Sequence, residues 1–223
     1  MFGNFDIASF LMRLLISVPI TLVALSGHEL AHAWVSTKLG DPTPRNEGRL
    51  TMNPLAHLDP IGTILMILTG FGWAKPVMVN PMYYKHRKEG MALVAVAGPL
   101  SNFIMAFFAV FLMFLFTLVV HFTGISGGVV SIITMILQLF VVRNIGLMVF
   151  NLIPIPPLDG SKVLGIFLPN NIYYKVLQYE RYALLLIMVL SLTGALNRIL
   201  SVGINAVSNL LFGFFNFILQ VIV

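Results

Sequence analysis

The chain contains no cysteine. That excludes disulfides and thiolate metal sites, so any metal ion must be held by imidazole or carboxylate groups. Charge is scarce too. Charged residues make up 9% of the chain against 58% hydrophobic, where a soluble domain carries about 25% charged residues. The apolar residues fall in long runs rather than short periodic stripes. Runs of about 20 apolar residues cross the hydrocarbon core as helices. The composition therefore predicts an all-α polytopic membrane protein, whose length does not translate into a count of soluble domains. With eight acidic residues and five histidines in 223, an ionisable group inside an apolar run stands out, because burying one in a membrane is costly.

The formal net charge is +5. The lysines and arginines lie mostly in loops between apolar runs, the usual membrane orientation signal. No aromatic-and-basic pattern suited to nucleic acid is present, so no nucleic-acid partner is expected. The N-terminal stretch carries Asp6 and lacks a basic leader, which argues against a cleaved signal peptide.

Five apolar runs are candidate spans: residues 7–39, 90–120, 129–152, 182–196 and 199–221. The fourth is short for a crossing, and the last two read either as two spans or as a membrane-lying hairpin. Residues 61–79 are apolar but broken by Gly62, Gly70, Gly72 and Pro76. That density predicts a re-entrant or strand-like loop buried against protein. The loop between spans one and two holds Lys38, Arg45, Arg49, Lys75, Lys85, Arg87 and Lys88, and the loop between spans two and three holds no Lys or Arg. Positive loops stay cytoplasmic, so the C-terminal ends of spans one and three are expected on that side.

Near the cytoplasmic end of span one lies His28-Glu-Leu-Ala-His32. Positions i and i+4 share a helix face, so the two imidazoles can bind one zinc ion while Glu29 acts as general base toward a metal-activated water. A lone match to this pattern arises by chance in soluble helices, but three such groups inside an apolar span point to a metal site. A catalytic zinc keeps three protein ligands and an open position. The metzincin position for a third histidine holds Lys38, which excludes that class. The candidates are Asp41, His57, Asp59, His86, His121 and Asp159. His121 lies in the opposite loop. Asp159 lies just past span three, at the depth of His28 and His32, although a helix cap or turn is an ordinary role for an Asp before Gly160. His57, in a proline-flanked loop on the correct side, is the main rival. Asp59 before Pro60 reads as a turn former, and Gly98, Pro99, Ser101 and Asn102 as helix-packing residues.

The combination resembles the site-2 protease family of intramembrane zinc metalloproteases, in its short form without a PDZ domain. It is carried by His28–His32, Asn53-Pro-Leu-Ala-His-Leu-Asp-Pro-Ile-Gly62, Gly72-Trp-Ala-Lys-Pro-Val77, Ala97-Gly-Pro-Leu-Ser-Asn102 and Asn151 through Gly160. The resemblance implies a three-helix catalytic core and one zinc ion per chain held by His28, His32 and Asp159. It also implies Glu29 as base, Asn151 supporting substrate or the oxyanion, and His57 close to the site. The expected partners are the lipid bilayer and a membrane-spanning protein or peptide substrate; the expected setting is a prokaryotic plasma membrane. A helical substrate hides its carbonyls in hydrogen bonds, so loop 61–79, with Gly72 and Trp73, is expected to offer a strand edge to the unwound substrate. Interface anchoring is the ordinary role for Trp73. A metal transporter would place polar residues at several depths, and a non-catalytic scaffold would usually lose Glu29 or a ligand.

Overall fold

The computed structural model describes residues 7–69, 74–178 and 180–222. In chain order the helices are α1 (Ile7–Lys38), α2 (Thr43–Asn46), α3 (Pro60–Thr69), α4 (Arg87–Thr123), α5 (Gly128–Asn151), α6 (Asp159–Leu164), α7 (Asn170–Gln178), α8 (Glu180–Leu192) and α9 (Ala195–Ile222). No strand occurs among the described residues; the one β feature there is an isolated antiparallel bridge between Leu58 and Ala74.

Four helices, α1, α4, α5 and α9, are long and apolar enough to cross a membrane. The shortest, α5, has 24 residues, or about 36 Å at 1.5 Å per residue, against a hydrocarbon core of about 30 Å. The fourth predicted span falls on α8, whose 13 residues reach about 20 Å and cannot cross alone. Gly194, at φ 73°, ends it there by taking a left-handed conformation that costs glycine little. The last apolar run belongs to α9.

Loop 61–79 was expected to be re-entrant or strand-like, and over its first half it is helical instead of strand-like. Residues 60–69 are helical because Pro60 occupies the first helical turn, where its missing N–H costs nothing. The Asp59 carboxylate also accepts the Gly62 N–H at 2.8 Å. Beyond the bridge at Ala74 the chain runs without regular structure to Asn80. Gly70, Gly72 and Trp73 lie outside the described residues.

Helices α1, α4 and α5 pack against one another, α6 lies on α4, and α9 covers α5 and α4. One end of the bundle is apolar: Ala106, Ala109, Val110, Val141, Ile145, Leu211 and Phe215 form a buried cluster. Phe215 of α9 meets Phe107, Phe111 and Phe114 of α4 at centroid separations of 5.6, 6.0 and 5.6 Å. Outward-facing Phe108, Leu112, Phe122, Phe214 and Phe217 are exposed. In water such a surface would aggregate; against lipid it is matched to its solvent.

Candidate metal centre

His28 and His32 are buried on one face of α1, their rings edge to face with centroids 4.6 Å apart. The third group arrives from 131 positions away. Pro154, Pro156 and Pro157 cannot continue α5, and the chain turns back to begin α6 at Asp159. Gly160 is required at that point: a Cβ there would collide with the Leu152 carbonyl oxygen and lie 2.7 Å from that of Ile153. Asp159 Oδ2 lies 3.2 Å from His28 Nε2 and 3.1 Å from His32 Nε2, and the two Nε2 atoms are 3.0 Å apart. These three buried residues are the one such potential metal-binding group among the described residues.

The protons around this group can be assigned. His32 Nδ1 lies 2.6 Å from the Val94 carbonyl oxygen, which can only accept, so Nδ1 carries the proton. Asn102 Nδ2 donates to the Ala24 carbonyl at 3.1 Å and to Asn144 Oδ1 at 2.9 Å. Because the Ala24 oxygen cannot donate, the Asn102 amide has one orientation, and its Oδ1 must accept from His28 Nδ1 at 2.6 Å. The Asn144 amide is oriented in the same way, donating to the Phe140 carbonyl at 2.9 Å. With those protons on Nδ1, each ring in its neutral form turns its Nε2 lone pair toward the Asp159 carboxylate oxygen. In that form three acceptors converge in a buried site, which requires a positive charge in their midst. Lys162 Nζ lies 3.4 Å from the other carboxylate oxygen, Oδ1. Two imidazoles and a carboxylate are a fitting donor set for zinc.

Space for an ion is provided by Gly98 on α4. A Cβ there would sit 2.5 Å from His32 Nε2 and 2.6 Å from His28 Nε2. Gly98 and Asn102 are one turn apart, so one face of α4 supplies both the room and the hydrogen bond. This corrects the expectation that the stretch serves helix packing alone. Asn144 was missed altogether. The available signal was an uncompensated amide inside each apolar run, since such groups are costly in lipid.

Glu29 is buried beside the imidazoles, and its Oε2 accepts the main-chain N–H of Val77 at 3.0 Å. His57 is not in the group of three. It is buried, with Nε2 donating to the Thr51 carbonyl at 2.9 Å and Nδ1 without a hydrogen-bond partner among the described residues. Asn151 Nδ2 donates to the Leu147 carbonyl of its own helix at 3.0 Å, as expected where an amide side chain ends a helix inside an apolar bundle. Asp41 is buried in a separate cluster, accepting from the Ser36 hydroxyl at 2.8 Å and from the N–H groups of Thr43 and Asn80 at 2.9 and 2.7 Å. Burial pushes its carboxyl up, but the Asn80 and Thr43 bonds outweigh that and lower it. His86 and His121 are exposed.

Comparison with known proteins agrees with this geometry. The sequence profile of peptidase family M50 matches residues 17–195. YwhC of Bacillus subtilis (strain 168), named as a candidate zinc metalloprotease, is 38% identical over 205 residues, 89% of this chain and 90% of the relative. MJ0611 of Methanocaldococcus jannaschii, named likewise, is 30% identical over 171 residues, 73% of this chain and 74% of the relative. Rip2 of Mycolicibacterium smegmatis, again so named, is 26% identical over 182 residues, 79% of this chain and 66% of the relative. No solved structure matches this chain.

Proposed function

The chain belongs to peptidase family M50, the site-2 proteases, and is a zinc-dependent membrane protease; from that premise we propose that it cleaves membrane-anchored proteins in regulated intramembrane proteolysis, with His28, His32 and Asp159 holding one zinc ion per chain. The observation that carries the reading is the meeting of three buried acceptors, both imidazoles having their protons on the far nitrogen.

Bound zinc supplies Lewis acidity toward water and the scissile carbonyl. The protein's own groups do the rest. Glu29, one residue after His28, takes the proton of the attacking water and returns it to the leaving amine. Asn102 holds the His28 ring with its Nε2 inward, and Val94 does the same for His32. Asn151 serves the substrate or the oxyanion once its amide turns away from Leu147. His57, with a free acceptor nitrogen, is available to a substrate N–H. The bundle excludes bulk water, which strengthens each of these interactions. His28 and His32 lie ten and six residues before the end of α1, or about 15 and 9 Å along its axis. A substrate must therefore unwind to reach them, and the extended stretch leading from Ala74, together with Gly72 and Trp73, is proposed to receive it as a strand. The loop charges favour a cytoplasmic-side active site in a prokaryotic plasma membrane.

Metal analysis and a cleavage assay test this together. Wild type should bind one zinc per chain, Glu29→Gln should keep it and lose cleavage, and Asp159→Ala should lose both. Retention of zinc by Asp159→Ala with loss in His57→Ala would overturn the ligand assignment.

A further inference from the structure

We propose that the main-chain N–H of Val77 aims Glu29, making segment 74–80 a strap that positions the base. This rests on the reading of Glu29 as the base. Glu29 is 9% exposed, and its one hydrogen bond to a described residue comes from Val77 N–H at 3.0 Å. It forms no ion pair with another described residue. A carboxylate buried to that extent needs a donor, and here the donor is backbone. The bond occupies Oε2 and leaves Oε1 to receive a proton.

The strap cannot follow Glu29 if the side chain moves, because it is fixed on both sides of Val77. Upstream, Lys75 N–H donates to the His57 carbonyl at 2.8 Å, beside the Leu58–Ala74 bridge. Downstream, Asn80 N–H donates to Asp41 Oδ2 at 2.7 Å. Asp41 is itself held to α1 through the Ser36 hydroxyl, which the Tyr84 hydroxyl joins at 2.8 Å. The strap therefore spans the last turns of α1 from Glu29 to Asp41, and the loop carrying His57 braces it. Lys75 and Val77 each commit a main-chain N–H to a fixed partner, the His57 carbonyl and the Glu29 carboxylate. Val77 is thus a positioning residue through its amide, whatever its side chain.

That feature sets the test. Val77→Ala keeps the N–H, Val77→Pro removes it, and replacing the amide by an ester with an α-hydroxy acid at position 77 deletes the N–H alone. With unfolded casein as a generic substrate in detergent, Val77→Ala should lose far less kcat than the proline and ester forms. The proline and ester forms should lose about 10- to 100-fold in kcat, the range for a bond to a charged group, with KM and zinc content unchanged. Hydrogen exchange on the full chain gives a readout without turnover: the Val77 amide should be protected in wild type and exchange faster in Glu29→Ala. A folded ester variant with wild-type kcat, or one losing zinc along with activity, overturns the proposal, as does an unchanged Val77 exchange rate in Glu29→Ala. If Glu29→Gln still cleaves, the base assignment itself has failed, and the strap falls with it.

Discussion

Helices α4 and α5 are joined in two different ways along their length. At the level of Phe215 they meet through Ala106, Ala109, Val110, Val141 and Ile145, a dry apolar cluster closed by α9. At the level of His28 they meet through an amide pair, Asn102 and Asn144, with a glycine whose missing Cβ leaves the space between two imidazoles. In lipid the hydrophobic effect does not distinguish these ends, because acyl chains are as apolar as leucine. The apolar end needs only shape, and many side chains supply it. The polar end needs each donor matched to an acceptor, and each atom has one acceptable position.

The largest effect should come from adding one methyl group at the polar end. Gly98→Ala would place a carbon 2.5 Å from His32 Nε2 and should weaken zinc binding by at least about 100-fold, measured by chelator competition. Gly213→Ala, with nothing within 4 Å of the added carbon, should bind zinc as wild type does. Equal zinc affinity in both variants would break the comparison.

Next in size, Asn102→Leu and Asn144→Leu should each lower zinc affinity by about 10- to 100-fold. Asn102→Asp, which keeps an acceptor for His28 Nδ1, should retain most of it. Phe215→Ala sharpens the contrast from the other side. It should cost about 3 kcal/mol of stability in a denaturant titration while leaving zinc affinity unchanged.

The smallest effect concerns acid. The folded Asp41 carboxyl is lowered from its ordinary value of about 3.9, the Asn80 and Thr43 bonds overcoming burial. Its contribution is therefore complete above about pH 4 and is lost as pH falls through the folded value. Hydrogen exchange over residues 75–86 should accelerate by about tenfold on acidification, and Asp41→Asn should abolish that dependence. Protection that does not change with pH in wild type would remove Asp41 as the clamp.

Much of the architecture was legible in composition and run length. The helices at 90–120 and 129–152 needed only hydrophobicity and the breakers Gly124 and Pro154, since a backbone in lipid must satisfy its own hydrogen bonds. The run at 182–196 left a span or a membrane-lying hairpin open, and α8 proves too short to cross alone because the helix stops before Gly194. In residues 61–79 glycine density pointed to a re-entrant or strand-like loop, and the Asp59 cap on α3 makes its first half helical instead of strand-like. His57 stood out as a histidine in a proline-flanked loop on the correct side, yet its side-chain bond goes to Thr51 of that same loop.

The sequence by itself determined the chemistry: imidazole and carboxylate in a chain without thiols, on runs that can only be membrane helices. Helical spacing alone brought His28 and His32 to one face. Loop charge and span order already put Asp159 at their depth; tertiary structure alone decided the contact distances, that Asn102 and Asn144 fix the ring proton, and that a backbone N–H meets Glu29. Those depend on which helix faces pack together, and a main-chain donor is common to every residue but proline, so it leaves no mark in the sequence.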